Sequence, residues 1–416
     1  MSRIRPETTR RIAFALVLAT AAGLVAAIWD GLDPLLRGVS VASLVLLAAL
    51  GSSRVRSPAP TPPDPRVEVL DRVVADETRR PWNATTLPWQ GGIAAPSILL
   101  VPAADYHLAE VVPLAAELDR RGMPSRIAIG SSPWSRTWPS LSAYPGLEVF
   151  ELPDALSLAG EVSAIMVMKD TGSIAPLVEQ ARQAGIPVFG KVEGAQDFWD
   201  ADTPERRRPY RNLDLVLCQG RFDAEALADR PTSIVGSSRL ERLWWAPPVN
   251  PGNPLAVINL NFVYGVGTKD RTRWLDTAIE GCSRAGIPYL ISIHPAERAR
   301  PASDRVTSIS ASRLLPHATV LISRFSTMPF EAMARGVPFI YHNPHGEAVR
   351  TFADPLGAFE VTTSAEGLAE ALGGLGPDPA AHRARVEPFF GRHVDIDRNT
   401  TSERRGAEAI AVALGG

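Results

Sequence analysis

A chain of 416 residues, 45% hydrophobic and 21% charged, can bury more than one core, and its length favours two or three domains. Its formal net charge of -2 supplies no field for gripping a phosphate backbone, which argues against nucleic acid as a partner. Cys218 and Cys282 lie far apart without ligand spacing, which argues against a structural zinc site and a disulfide framework.

The first elements are apolar. Residues 12–28 carry no charge and 38–53 form a second uncharged run, with Asp30, Asp33 and Arg37 between them. Both runs are short against the roughly 17 to 25 residues that a bilayer core asks of a helix. Arg3, Arg5, Arg10 and Arg11 precede the pair, and Arg54 and Arg56 follow it. The positive-inside rule then predicts a membrane hairpin over 1–56 with both ends in the cytoplasm. A cleaved secretory signal ending near Ala26 is the competing reading, but it leaves the second run and its trailing arginines unexplained. Residues 57–66 (SPAPTPPDPR) read as a stiff spacer within a linker and lead-in over 57–96.

From Ser97 onward, short apolar runs alternate with amphipathic segments, the pattern of parallel sheets covered by helices. Strands are predicted over 98–102, 125–129, 147–152, 164–168, 186–191 and 213–218, with helices over 108–121 and 174–184. They make one α/β domain over 97–243. The proline-rich stretch 244–254 (WWAPPVNPGNP) is the predicted linker. A second α/β domain over 255–416 follows, with strands at 255–260, 287–293, 320–323 and 337–341 and helices at 272–285 and 328–335. In open sheets of this kind ligands sit beyond the carboxyl ends of the strands, so residues just after each strand are the candidates.

The strongest candidate is SRFSTMPFEAMARGVPFIYHNPHGE, starting at Ser323. A strand ends at Ser323, Ser326 and Thr327 open a helix, and Gly336 closes it. Hydroxyls and free N–H groups at a helix start suit a diphosphate, and Glu331 one turn later could accept from a ribose diol. An ordinary capped helix, with Pro329 in its first turn, accounts for the same residues. His294 ends another strand before Pro295 and could donate to a phosphate, although a strand-end histidine is often merely satisfied locally. His342, His345 and Glu347 are candidate sugar or phosphate contacts, with no zinc spacing among them. The first domain supplies acids: Asp170 and Glu193 follow strands, and Glu205 lies in the next loop. Paired carboxylates at adjacent strand ends suit proton transfer. His107, with Asp105, follows the first strand and could serve as a base on the acceptor side. The arginines at 206–208 and 404–405 read as solvated faces, and Trp244 and Trp245 as packing.

The HP after a buried strand, the serine-rich helix start, the EA and the GVP together resemble the glycosyltransferase-B superfamily, over roughly 97–414. MKDTGSIAPLVEQARQAGIPVFGKVEG, TPE and IVGSSRLE resemble the non-hydrolysing UDP-N-acetylglucosamine 2-epimerases. That resemblance implies that Asp170, Glu193 and Glu205 handle protons. Those epimerases carry a GHR motif after the first strand of the second domain, where this chain has NLNFVYG with Asn261. Their SGG is SRFST here and their TERPE is HNPHGE. The C-terminal half is more similar to CDP-glycerol glycerophosphotransferases and capsule-type glycosyltransferases, whose serine-rich helix start binds nucleotide phosphates, but their HGT motif is replaced by KVEGAQ. The combined expectation is two Rossmann-like α/β domains behind a transmembrane hairpin, forming a membrane-anchored glycosyltransferase-like enzyme. It would take a nucleotide-activated donor to a membrane-proximal or lipid-linked acceptor during surface-polymer assembly. His294, Ser323, Ser326, Thr327, Glu331 and Asn261 would hold the nucleotide, and no metal or other cofactor is expected. The alternatives are the epimerase, the glycerophosphotransferase and an inactive nucleotide-binding scaffold.

Overall fold

The computed structural model describes residues 97–130, 138–144, 146–195, 198, 209–249, 251–262, 268–294, 305–376 and 378–415, preceded by 64, 66, 69–70, 86–87 and 89. The expected hairpin lies outside the described residues. Among those described, no helix is long and apolar enough to cross a membrane.

Two parallel sheets organise the chain. The first joins β1 (Thr86–Leu87), β2 (Ser97–Val101), β3 (Ser125–Ile129), β4 (Val149–Glu151), β5 (Val162–Val167), β6 (Val188–Lys191), β7 (Leu215–Cys218) and β8 (Thr232–Ile234). Their order in the sheet is β1-β4-β3-β2-β5-β6-β7-β8. The second joins β9 (Ala256–Leu260), β10 (Tyr289–Ile293), β11 (Val306–Thr307), β12 (Val320–Ser323), β13 (Phe339–His342) and β14 (Glu360–Thr362), ordered β11-β10-β9-β12-β13-β14. The helices are α1 (Leu108–Arg120), α2 (Ala175–Gln183), α3 (Arg221–Ala226), α4 (Ser238–Trp245), α5 (Arg271–Arg284), α6 (Ala311–Leu314), α7 (Met328–Ala334), α8 (Ala365–Gly373), α9 (Pro379–His393) and α10 (Ser402–Ala413).

Both faces of each sheet are covered, which is why the strands read as continuous apolar runs. In β2, Leu99 and Val101 join one core while Ile98 and Leu100 join another on the opposite face. In β9, Val257 packs to one side and Ala256, Ile258 and Leu260 to the other. Edge strands β1, β8, β11 and β14 are short, and no apolar run announced them. The expected linker is partly helical. Ser237 caps α4 by accepting the Leu240 amide at 3.2 Å, and Trp244 in its last turn stacks on Phe390 with centroids 4.6 Å apart.

One boundary is corrected. The end of the chain does not stay with the second sheet: Ala407 and Ile410 of α10 are buried in the first sheet's core with Leu108, Val111 and Leu114 of α1. Arg405 is correspondingly no solvated arginine. Its guanidinium donates to the carbonyls of Val235, Asp395 and Thr400, tying the returning segment to the first lobe.

Candidate functional site

Strands β2, β5 and β6 lie side by side in the first sheet, so the residues after them converge at its carboxyl edge. Glu193, two residues past β6, is the centre of that group. Its carboxylate contacts His107 Nε2, accepts from the Tyr106 hydroxyl at 3.2 Å and faces Lys169 Nζ at 3.7 Å. Burial would raise the Glu193 carboxyl, but the His107 contact, Lys169 and the Tyr106 hydroxyl outweigh it and hold the group below the usual carboxylate range.

His107 is not placed to act as a base. Its Nδ1 accepts the amides of Ala103 (2.9 Å) and Ala104 (3.1 Å), so the ring proton sits on Nε2 and is directed at Glu193. Neither nitrogen is left to abstract a proton, and the imidazole serves to hold Glu193. Asp105 is also a brace, accepting from Ser140 N (2.9 Å) and Ser140 Oγ (2.5 Å).

Asp170 is corrected as well. It is buried, and its two oxygens accept the amides of Tyr210 (2.7 Å) and Asn212 (3.4 Å). Tyr210 has φ 65, a left-handed conformation that costs a bulky residue strain, and the carboxylate holds that turn in place. Glu205 lies outside the described residues.

In the second lobe, Asn259 at the end of β9 donates from Nδ2 to Ser323 Oγ (3.0 Å) and Ser326 Oγ (3.3 Å). Ser323 is fully buried and donates to the Arg324 carbonyl, so it is structural and not a phosphate ligand. Ser326 Oγ accepts the Met328 amide at 3.2 Å, as a residue at a helix start does. Thr327 faces the first lobe: its Oγ1 accepts the Ala195 amide at 3.2 Å. A Cβ on Gly194 would come within 2.3 Å of that oxygen, so only glycine allows this approach. The start of α7 therefore meets the loop carrying Glu193.

Glu331 is not free for a ribose. It is buried, with one oxygen on Arg239 Nη1 and the other on Ser312 Oγ. His342 belongs to β13 and is buried between Thr277 Oγ1 (2.8 Å) and Thr362 Oγ1 (2.9 Å); burial pushes it down to about 4, leaving it neutral. Glu347 is the hub of a buried cluster, taking Arg324 Nε (2.8 Å), the Phe325 amide (3.1 Å), the Tyr341 hydroxyl (2.7 Å) and His345 Nε2 (3.2 Å). Asn261 closes the cluster, donating to the Phe325 carbonyl at 2.9 Å while its own carbonyl accepts Arg324 Nη1 at 3.0 Å. His342, His345 and Glu347 are thus scaffold for the loops after β9, β12 and β13. His294 ends β10 half-buried, and burial lowers its pKa.

Glu193, Ser326 and Thr327 therefore remain at the meeting edge of the lobes. A small cavity of about 10 Å³ nearby, no larger than a water site, is lined by Gly194, Ala195, Gln219 and Asp223 from one lobe and Phe330, Thr351 and His393 from the other. Sequence reasoning missed Tyr106, Lys169, Arg239 and Arg324. Lys169 and Arg324 stand directly beside predicted strand ends, a signal the reading could have used.

No protein-family model and no curated protein matches the chain. Solved structures do. A UDP-GlcNAc 2-epimerase from Methanocaldococcus jannaschii, in complex with UDP-GlcNAc and UDP, superposes with a TM-score of 0.52 at 12% identity, covering 77% of this chain and 100% of its own. The wall teichoic acid polymerase TagF, in a variant soaked with CDPG, gives 0.50 at 11% identity over 84% and 98%. The chain shares the two-sheet α/β fold of these structures. In this fold the carboxyl edges of both sheets carry the residues gathered above, and the Ala195–Thr327 hydrogen bond joins them.

Proposed function

We propose that the chain is a membrane-anchored glycosyltransferase-like enzyme that moves a sugar, or a polyol phosphate, from a nucleotide-activated donor to a membrane-proximal or lipid-linked acceptor in surface-polymer assembly. The catalytic lobes would stand on the cytoplasmic side. The observation that carries this reading is the approach of Glu193 to the start of α7 through the Ala195–Thr327 bond. It brings the loop that carries an ionised carboxylate against the segment that carries the Ser326 and Thr327 hydroxyls, a combination suited to an acceptor hydroxyl on one side and a leaving diphosphate on the other. The arginine-flanked apolar runs of the N-terminus support the membrane side of the reading.

For a sugar donor, the acceptor O–H would lose its proton to Glu193 as its oxygen bonds to the anomeric carbon. The bond from that carbon to the diphosphate breaks, and the nucleoside diphosphate leaves. A carboxylate with a lowered pKa is a weak base, so Glu193 would align the hydroxyl and accept the proton late, after bond formation has made it acidic. His107 and Tyr106 keep the carboxylate in place. Ser326, Thr327 and His294 would receive the diphosphate.

The 2-epimerase reading needs Asp170 as a proton carrier, and the sequestration of that carboxylate by two amides weighs against it. The test uses the purified full-length chain. The retained nucleotide is identified by mass spectrometry, and turnover is then measured with the matching donor and membrane acceptors. Glu193→Gln is expected to lower kcat by roughly 100-fold or more, the scale of general-base catalysis. Asp170→Asn, which keeps one accepting oxygen, is expected to lower it less than about tenfold. Conversion of UDP-N-acetylglucosamine to its 2-epimer without acceptor, abolished by Asp170→Asn, would replace this proposal with the epimerase.

A further inference from the structure

Helix α4 points Arg239 at the second lobe, and the reading above gives this residue no task. Its Nη1 pairs with Glu331 on α7, and its guanidinium lies over the Tyr106 ring with Cζ 5.8 Å from the centroid. The opposite edge is different: Nε and Nη2 are both buried and have no hydrogen-bond partner. Those two N–H groups point the same way from a planar group, forming the fork that matches two oxygens of a phosphate.

Further charged groups surround this edge. Arg335, one turn beyond Glu331, feels both Glu331 and Arg239, is partly buried, and also leaves its Nε without a partner. On the other side Glu110 faces Arg239 and Lys191, with Lys191 Nζ 3.5 Å from its carboxylate. Arg239, Arg335 and Lys191 thus lie among the carboxylates Glu331, Glu110 and Asp223, the last of which also faces Lys191. A buried donor edge without a partner is costly, so an anion accepting from Nε and Nη2 of Arg239 would be stabilised there. Tyr106 connects it to the site, since the ring under Arg239 carries the hydroxyl that donates to Glu193.

We propose that the Nε and Nη2 edge of Arg239 binds a phosphoryl group of the nucleotide-activated donor, making it an anion ligand contributed by the first lobe. The inference rests on the proposed nucleotide chemistry and adds the residue that would hold one of its phosphates from the lobe opposite α7. On binding, the phosphoryl oxygens would accept from both N–H groups of the fork.

The experiment compares wild-type full-length protein with Arg239→Lys, which keeps the charge opposite Glu331 and removes the planar fork. Affinities are measured for inorganic pyrophosphate, for UDP, CDP and GDP, and for the corresponding nucleosides, with circular dichroism verifying the fold. The expected result is a loss of tenfold or more for pyrophosphate and for the preferred diphosphate, with nucleoside affinity unchanged. A merely structural arginine would weaken all of these ligands together or none of them. Wild-type-like pyrophosphate and diphosphate affinity in Arg239→Lys overturns the inference, as does absence of pyrophosphate binding to the wild type. If the wild type binds pyrophosphate but no nucleotide more tightly, the nucleotide reading fails, and Arg239 is judged on pyrophosphate alone.

Discussion

Replacing Glu347 by glutamine should cost far more stability than one lost hydrogen bond. The side chain is 1% exposed and accepts from two Arg324 nitrogens, the Phe325 amide, the Tyr341 hydroxyl and His345. Glutamine fills the same space but leaves the buried Arg324 guanidinium uncompensated, and breaking one partner of such a pair costs about 3–5 kcal/mol. The titration of the wild type gives a second measure. Burial would raise the Glu347 carboxyl, yet His345, Arg324 and Tyr341 bring it from the ordinary 4.5 down to about 2. That depression amounts to about 3 kcal/mol of linked stability, in the same range. A depressed carboxyl contributes stability above its unfolded pKa and loses it as pH falls through the folded value, so the contribution should fade between pH 4.5 and about 2. Urea unfolding followed by circular dichroism, at pH 7 and in steps below 4.5, measures both effects. Glu347→Gln should flatten the acid limb, and adding Arg324→Met should recover much of the loss at pH 7 by removing the orphaned charge. A cost under about 1 kcal/mol for Glu347→Gln would refute the assignment of this residue as a buried strut.

Two further outcomes follow from the geometry. Gly194→Ala places a Cβ 2.3 Å from Thr327 Oγ1 and 2.7 Å from its Cγ2, so the lobes must part or the threonine must turn and lose the Ala195 amide. A cost of about 1–3 kcal/mol in lobe closure is expected, read as a larger radius of gyration in small-angle scattering and weaker nucleotide binding; a crystal structure of the variant with the Ala195–Thr327 bond intact would contradict it. Burial depresses His342 and His382 to about 4 and His393 to about 3. Groups depressed from 6.5 contribute stability that is complete above that pH and is lost on acidification towards the folded values, each by up to about 1.4 kcal/mol per pH unit. Melting temperatures that stay level between pH 6.5 and 4.5 would show that these rings are not held neutral.

The sequence located the edges where chemistry can happen more readily than it identified the free side chains there. Buried strands are visible as apolar runs, and the residues after β6 and β12 follow from them, which brought Glu193, Ser326 and Thr327 into view. Distinguishing them from Ser323 required tertiary knowledge, because β12 is covered on both faces and no period-two alternation marks which side chains point inward. The strand predicted over 337–341 leaves His342 just outside it, because the strand runs one position further than its last typical apolar residue, and the partners Thr277 and Thr362 come from a helix and an edge strand distant in sequence. The same distance hid Arg239, whose carboxylate lies 92 residues later, and the return of α10, whose Gly406 sits against Leu114 of α1. In each case a polar group that local chemistry offers to a ligand is claimed by a partner that only the fold supplies. The claim is forced by energetics: a group left unsatisfied in a covered sheet costs about 1–3 kcal/mol, and a long chain contains many polar groups able to meet it. The exceptions are therefore informative, since a buried donor edge such as that of Arg239, without a partner inside the chain, carries a cost that a ligand accepting from it would relieve.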